Sequence, residues 1–197
     1  MTKPISEGAE SRIYPTEIFG IDAIAKVRGP KAYRVPLLDV SIRSTRTKKE
    51  AKIMALALSH GVRVPRLLGV SDYSIYMEKI HGNLMKDAKI SGKQAEMAGT
   101  LLATLHNAGI VHGDFTPANI LIGEDGKLYL IDFGLSEISH GAEGRALDLL
   151  LIKRQMGVRL YTKFVKNYSQ GVPSAREIIK RLAEIEKRGR YQTRTLG

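Results

Sequence analysis

Two acidic residues and an asparagine form the most informative pattern in this 197-residue sequence. Asp114 lies in His112-Gly113-Asp114, Asn119 follows five residues later, and Asp132 opens the tripeptide Asp132-Phe133-Gly134. Transfer of a phosphoryl group needs a carboxylate that orients the acceptor and oxygen ligands that hold magnesium against phosphates. Asp114 fits the first role, and Asn119 and Asp132 fit the second. We therefore predict a magnesium-dependent phosphoryl-transfer site.

These two segments flank a predicted β-hairpin. Short apolar runs at 120–122 and 128–131 are separated by Gly123-Glu124-Asp125-Gly126, a composition typical of a tight turn. Each polar segment by itself is also common in ordinary loops. Their joint spacing favours chemistry, because the hairpin would bring Asn119 and Asp132 together.

The sequence pattern changes near residue 80, from short alternating segments to longer helical ones, which predicts a two-lobed α+β protein. In the first lobe, residues 1–80, Thr47 and Glu50 have the spacing of a capping box at the start of a single helix. The second lobe spans residues 81–188, and a basic tail that we expect to be mobile follows at 189–197. The predicted strands are 11–14, 21–27, 66–70 and 75–78, and the predicted helices are 47–58, 92–108, 144–156 and 174–188.

Composition narrows the class of protein. The sequence has no apolar run long enough to span a membrane, and its start lacks the apolar core of a signal peptide, so we expect a cytoplasmic protein. It has no cysteine and therefore no disulfide or thiolate metal site.

The formal net charge is +11, and the cations are clustered. Residues 26–49 carry eight Lys or Arg against the single Asp39, and residues 153–166 carry five Lys or Arg and no acid. Such clusters attract polyanions, although they are also common as solvated faces. We predict contact with RNA through these basic surfaces and the C-terminal tail.

The catalytic pattern resembles that of the protein-kinase superfamily. The catalytic loop of that superfamily has a His, an Asp and an Asn at the spacing of His112, Asp114 and Asn119, and its metal-binding motif is Asp-Phe-Gly, which matches Asp132-Phe133-Gly134. The resemblance implies a bilobal protein-kinase-like fold with a small β-rich N-lobe, one N-lobe helix and a reduced helical C-lobe. It implies ATP as the nucleotide, Lys26 as the phosphate-binding lysine and Glu50 as its helix partner. It also implies that Asp148 is a buried anchor for the catalytic loop.

The same resemblance suggests how the rest of the nucleotide is held. Gly8, in Ser6–Ser11, looks like the single glycine of a phosphate-covering loop, although a lone glycine is also common in turns. The segment Tyr76–Ile80 looks like the hinge that meets adenine, with Met77 at its back and Glu78 and Ile80 beside it. A methionine at this place is also typical of a core.

Two departures from ordinary protein kinases are informative. Gly113 replaces the arginine that senses a phosphorylated activation loop. Only nine residues separate Gly134 from Gly144, where a helix is predicted, so there is no room for an activation segment or a peptide-binding platform.

Among small kinases, the sequence is similar to the kinase subunit of the KEOPS complex. The similarity includes Glu7-Gly8-Ala9-Glu10, Lys26-Val27-Arg28, Lys31, Tyr33-Arg34, Pro36, Leu38-Asp39, Arg46 to Ala51 and Arg188-Gly189-Arg190. It implies an ATPase and serine-autophosphorylating kinase that supports threonylcarbamoyl modification of tRNA. It also implies a threonylcarbamoyltransferase subunit on the second lobe, a small regulatory subunit on the first, and tRNA at the basic tail.

Two alternatives stay open from the sequence. The first is a Rio-type or small-molecule phosphotransferase, since these proteins share short activation regions and His-Gly-Asp loops. The second is a nucleotide-binding adaptor that bridges tRNA and a protein partner without turnover.

Overall fold

A computed structural model describes residues 3–192, with side chains up to residue 188. Its N-terminal lobe is built on a five-stranded antiparallel sheet in which all four predicted strands are present. The short first strand was not predicted. The strands are β1 (Ser6–Glu7), β2 (Arg12–Ile18), β3 (Ile21–Val27), β4 (Leu67–Val70) and β5 (Ser74–Glu78), in the spatial order β1-β2-β3-β5-β4.

Strand β3 lies at the centre of this sheet and carries Lys26. A two-residue turn, Phe19-Gly20, joins β2 to β3 with positive φ at both residues, which matches the right-handed twist of the strands. The resulting register places Lys26 opposite Ile13 of β2 and Ile75 of β5. Lys26 therefore lies on the central strand, which is hydrogen-bonded to a neighbouring strand on each side.

The single helix of this lobe, α1, spans Pro36–Ser59 and begins eleven residues before the predicted start at Thr47. Pro36 is at the first turn, where a missing N–H costs nothing. The predicted capping box is wrong. Thr47 lies in the middle of the helix, where its hydroxyl donates to the Arg43 carbonyl (2.8 Å), and Glu50 makes other contacts.

Three more strands begin the C-terminal lobe. The predicted hairpin is present as β8 (Ile120–Gly123) and β9 (Leu128–Leu130), and β6 (Gly82–Leu84) extends it to the order β6-β8-β9. A separate short pair, β7 (Ile110–Val111) with β10 (Glu137–Ile138), was not predicted. These two pairs bracket the segments 112–119 and 131–136 that carry the predicted chemistry.

Four helices complete the lobe: α2 (Gly92–Asn107), α3 (Ala142–Gln155), α4 (Val158–Gly171) and α5 (Ala175–Gln192). Ser91 and Gln94 form a complete capping box at the start of α2. Helix α4 was not predicted, because residues 153–166 were interpreted only as a charge cluster. The opposite face of α4 buries Phe164 and Tyr168 against α2, and Gly99 of α2 lies so close to the Phe164 carbonyl that a Cβ atom could not fit.

The predicted tail is partly helical. Helix α5 continues to Gln192, beyond the predicted boundary at 188, and residues 193–197 lie outside the described residues. Among residues 3–192, no helix is both long and apolar enough to span a bilayer. The cytoplasmic location and the domain boundaries stay predictions.

Candidate active site

The loop that carries Asp114 is fixed by a buried aspartate of α3. The side chain of Asp148 is fully buried, and its carboxylate accepts hydrogen bonds from the N–H groups of His112 (2.8 Å) and Gly113 (2.9 Å). Gly113 has a φ of 80°, and a Cβ atom there would lie 2.6 Å from the Leu135 carbonyl oxygen. The contacts that an anchoring role of Asp148 requires are therefore present, and the kinase arginine has no room at position 113.

Asn119 holds the carboxylate of Asp114. A single 3₁₀ turn, Pro117–Asn119, brings the asparagine back toward the loop. Its amide nitrogen donates to the Asp114 carboxylate oxygen Oδ2 (2.8 Å) and to the Asp114 carbonyl oxygen (2.9 Å). Because the nitrogen is used in this way, the Asn119 oxygen Oδ1 is the atom that could bind a cation.

Asp132 follows β9 in a left-handed backbone conformation, with a φ of 60° that is uncommon outside glycine. Its oxygen Oδ1 accepts hydrogen bonds from Lys26 Nζ (2.8 Å) and from the N–H of Gly134 (3.1 Å). Partial burial by itself would raise the pKa of the Asp132 carboxyl, but the charge and hydrogen bond of Lys26 lower this pKa below its ordinary value. Asp132 is therefore ionised at neutral pH, as a metal ligand must be.

Lys26 and Glu50 are in contact, as the kinase resemblance implied. Lys26 Nζ lies 2.7 Å from the Glu50 oxygen Oε1, and their side chains are only 6% and 1% exposed. Arg28, which had no predicted role, binds the other oxygen of Glu50 through its Nη2 at 2.7 Å. A signal was available, since Arg28 directly follows β3 and lies two residues after Lys26, and side chains two apart in extended backbone share a face. Glu50 thus aligns two cations along one wall of the site.

A cavity of about 420 Å³ opens between the sheet and the C-terminal lobe. Lys26, Glu50, Asn119 and Asp132 all line it, so the two predicted magnesium ligands face the same space. The rest of its wall is mainly apolar and includes Ile13, Ile24, Met54, Met77, Leu121 and Ile131. The apolar part of the wall suits a flat aromatic base, and the charged and polar part suits a phosphate chain with its metal ion.

The predicted hinge forms one side of this cavity, where Met77, Glu78 and Ile80 are all lining residues. The N–H of Glu78 donates to the Arg66 carbonyl (2.9 Å), and the N–H of Lys79 donates to the Asp22 carbonyl (3.0 Å). In the described part of the chain, the N–H of Ile80 has no such backbone acceptor. The N–H of Ile80 is therefore available to an adenine edge.

Gly8 lies in a neighbouring recess of about 350 Å³ rather than in the main cavity. The segment Gly8–Ser11 lines this recess together with Asp114, Asp132 and Gly134. The N–H of Gly8 donates to the Ser11 carbonyl (2.9 Å), which closes a tight turn. The structure therefore brings the predicted phosphate loop and the predicted catalytic aspartate to one space.

The donor set suits a nucleotide-bound magnesium better than a metal held by protein alone. Within residues 3–192, no group of three or more His, Asp or Glu side chains is arranged to hold a metal ion. Magnesium typically takes one or two protein oxygens and fills its remaining positions with phosphate oxygens and water. Asn119 and Asp132 meet that description, with Lys26 beside them as a phosphate-binding cation.

A family model and several curated relatives match this chain. A RIO-domain family model matches residues 34–150. The chain is 37% identical to the KEOPS complex subunit Bud32 of Pyrococcus abyssi over 98% of both chains, and 37% identical to a probable serine/threonine-protein kinase BUD32 homolog of Archaeoglobus fulgidus, over 88% of this chain and 90% of that one. It is also 36% identical to a probable bifunctional tRNA threonylcarbamoyladenosine biosynthesis protein of Methanobrevibacter smithii, over 95% of this chain but only 36% of that longer protein.

A solved structure with the same fold is the Rio2 kinase of Chaetomium thermophilum, in an ADP/Mg²⁺-phosphoaspartate complex. Its TM-score is 0.65 at 18% identity, and the match covers 94% of this chain and 70% of that one. At this identity the likeness concerns the fold, which is the predicted bilobal, kinase-like α+β arrangement. The chain therefore belongs to the RIO-domain family of atypical kinases and, within it, to the Bud32 family of KEOPS complex subunits.

Proposed function

We propose that this protein binds ATP with magnesium between its lobes and transfers the terminal phosphoryl group to water or to a serine or threonine hydroxyl. We propose further that it does so as a KEOPS subunit that supports threonylcarbamoyladenosine modification of tRNA, as the names of its relatives indicate. The observation that carries the proposal is the convergence of Lys26, Glu50 and Asp132 with the Asp114-Asn119 pair at one cleft.

The nucleotide would be held by three sets of groups. Adenine would lie in the apolar part of the cavity against Met77, with its edge at the Glu78 carbonyl and the Ile80 N–H. The phosphates would lie between Lys26 and the backbone of the loop at Gly8. Glu50 would keep the Lys26 ammonium in place, since the two buried side chains form an ion pair at 2.7 Å.

Magnesium would be held by Asn119 Oδ1 and the Asp132 carboxylate, and when bound it neutralises charge on the phosphate oxygens. Asp132 is engaged by Lys26 in this structure. Nucleotide binding would therefore let Lys26 exchange one anionic partner, the Asp132 carboxylate, for another, a phosphate oxygen. This exchange keeps the buried cation paired in both states.

Asp114 would orient the acceptor. The acceptor oxygen forms a bond to the terminal phosphorus while the bond from that phosphorus to the bridging oxygen breaks and ADP leaves. The proton of the acceptor passes to the Asp114 carboxylate, which Asn119 holds by its amide nitrogen. With water the products are ADP and inorganic phosphate, and with a hydroxyl they are ADP and a phosphate ester.

Substitution of the two aspartates tests these roles. We expect Asp114→Asn and Asp132→Asn each to lower magnesium-dependent ATP turnover at least about a hundredfold, because each removes charge from the reacting centre. Asparagine keeps the side-chain shape and tolerates the left-handed backbone of Asp132. The measurement is phosphate release by the purified chain, together with its thermal unfolding midpoint.

A matched control is Asp72→Asn, which breaks an exposed pair with Lys48 of α1 (2.9 Å), and neither residue lines the cavity or the recess. This variant should turn over ATP at the wild-type rate. Wild-type turnover in Asp114→Asn and Asp132→Asn with unchanged unfolding midpoints would contradict the assigned roles.

A RIO-type or small-molecule phosphotransferase is the second candidate, because the RIO-domain match spans the catalytic segments. The identity of the labelled product separates the two. Labelled phosphate on a metabolite would favour this candidate, whereas free phosphate or phosphoserine favours the KEOPS function. The KEOPS relatives match nearly the whole chain, so we rank that function first.

We also propose the partners that the family resemblance implies. These are a threonylcarbamoyltransferase subunit on the C-terminal lobe, a small regulatory subunit on the N-terminal lobe, and tRNA on basic surfaces that include the C-terminal tail. The KEOPS names of the relatives support an assembly of this kind.

A further inference from the structure

The recess beside Asp114 is lined in part by the predicted phosphate loop. We call the segment Gly8–Ser11 the roof of this recess, which is also lined by Asp114, Asp132, Gly134 and Arg46. The volume of the recess, about 350 Å³, is near the lower end for sites that hold small molecules. An acceptor that reaches Asp114 through this recess passes the loop.

A set of ion pairs ties this roof to α1 and to the segment before it. The Glu10 carboxylate forms an ion pair with Arg46 and a second, at 3.6 Å, with Arg34. Lys31 Nζ also donates to the Ala9 carbonyl at 2.6 Å. We call these three contacts the loop latch.

Further ion pairs hold the cations of the latch in place. Arg34 is also paired with the buried Asp39 carboxylate (3.5 Å), which itself holds Arg43 (2.7 Å). The hydrogen bond from Arg46, helped by its charge, lowers the pKa of the Glu10 carboxyl. Glu10 therefore stays ionised, and the latch is intact, throughout the neutral range.

We propose that the loop latch makes water the preferred acceptor of the terminal phosphoryl group, a conclusion that rests on the proposed ATP-dependent activity. With the roof held down, water can enter the recess, whereas a serine hydroxyl must bring its own backbone under the loop. The seven residues between Gly134 and α3 offer no platform for such a chain. Opening the latch admits larger acceptors.

The chemistry is the same for both acceptors. A bond forms from the acceptor oxygen to phosphorus, the bond to the bridging oxygen of ADP breaks, and the acceptor proton passes to Asp114. The latch affects only whether a water oxygen or a protein hydroxyl oxygen reaches the terminal phosphorus. Its effect is therefore measured as the ratio of protein-bound phosphate to free phosphate.

The latch is weak enough to open. The side chains of Glu10 and Arg46 are each 45% exposed, and exposed ion pairs are screened by salt. Removing one such pair should change the open fraction by about threefold to fivefold.

The experiment follows both products in one reaction of the full chain with terminally labelled ATP, magnesium and dephosphorylated casein. We expect Glu10→Gln to raise the share of label on protein by about threefold to fivefold. Asp72→Asn is the control, because it breaks the exposed Asp72–Lys48 pair (2.9 Å), whose residues do not line the recess. A share in Glu10→Gln that equals that of Asp72→Asn would overturn the proposal.

The salt dependence of the protein-bound share is a second test. It compares the shapes of two curves and does not require the wild type and the variant to have equal total activity. The protein-bound share of the wild type should rise with sodium chloride, and that of Glu10→Gln should not, because its latch is already open. Parallel salt curves for the two would overturn the latch. Turnover that persists in Asp132→Asn would instead contradict the proposed function, and the latch with it.

Discussion

Gly8 lies in a turn whose own geometry has room for a side chain. A Cβ atom built there meets only the Ser11 carbonyl oxygen at 3.6 Å, an ordinary contact, and its backbone is not left-handed. The turn by itself therefore does not require glycine. A ligand phosphate that approaches the backbone would require it.

Gly8→Ala separates these two explanations at the residue scale. We expect an unchanged thermal unfolding midpoint and a KM for ATP raised about tenfold, because the added methyl would keep the backbone amides from phosphate oxygens. Gly29→Ala is the control, since a Cβ at Gly29 meets nothing within 4 Å. Equal KM values for the two variants would leave Gly8 as an ordinary turn residue.

Residue types and spacing could predict the components of the site but not all of its contacts. The Lys26–Glu50 contact was expected from family resemblance, and the hairpin placed Asn119 and Asp132 on one cavity. Arg28 was missed, because a cation just past the predicted strand 21–27 is usually assigned to solvent. Its burial follows from its tertiary contact with Glu50 of α1, which is distant in sequence.

At the element scale, α4 determines how the C-terminal lobe holds the catalytic loop. The Tyr168 hydroxyl donates to His106 Nδ1 (2.7 Å), and His106 Nε2 contacts the Asp148 carboxylate (3.1 Å). Burial lowers the pKa of His106, so the ring is neutral and its Nε2–H donates to Asp148. Tyr168 thus stabilises the tautomer that supports Asp148, which in turn fixes the backbone of Gly113.

A pair of tyrosine variants on α4 tests this chain of hydrogen bonds. Tyr168→Phe should destabilise the protein by about 1–3 kcal/mol, because it leaves a buried ring nitrogen of His106 without a donor. Tyr161→Phe is the matched control, since the Tyr161 hydroxyl is buried without a hydrogen-bond partner in the described residues. Its removal should be neutral or stabilising. Chemical denaturation gives the free energy of unfolding of each variant. Equal losses of this free energy in the two variants would contradict the stabilising role of the Tyr168–His106 hydrogen bond.

The missed helix α4 and the missed first half of α1 have different causes. Residues 158–166 of α4 carry three cations and no acid and were interpreted as exposed charge, whereas residues 36–46 of α1 lack a clear helical pattern. Helix α1 has exposed Leu37 and Leu38 on its first turn, so it shows little apolar periodicity there. Tertiary contacts, such as Asp39 with Arg34 and Arg43, stabilise what the local pattern does not indicate.

At the scale of the whole molecule, the fold changes how the positive charge is distributed. Seven of the eight cations in residues 26–49 bond to acids or carbonyls of the N-terminal lobe. Six of them are Lys26, Arg28, Lys31, Arg34, Arg43 and Arg46. The seventh is Lys48, which pairs with the exposed Asp72 on the surface of α1, where Lys49 also lies. The cluster that first suggested an RNA surface is therefore largely an internal network.

Helix α4 is the better candidate for contact with a polyanion. Arg159, Lys163 and Lys166 follow one face at helical spacing, and all three are exposed. Lys163 is paired with Glu96 (2.8 Å), while Arg159 and Lys166 have no acidic partner in residues 3–192. A stripe of this kind can neutralise successive phosphates of a nucleic-acid backbone.

The position of this surface can be tested by the salt dependence of tRNA binding. The double variant Arg159→Gln with Lys166→Gln should weaken binding and lower the slope of log K against log salt by about 0.7–0.9 for each lost phosphate contact. Lys48→Gln with Lys49→Gln removes the same charge from α1 and should leave the slope unchanged. If the α1 pair carries the larger slope, the N-terminal lobe is the tRNA surface and the charge of α4 serves only solvation.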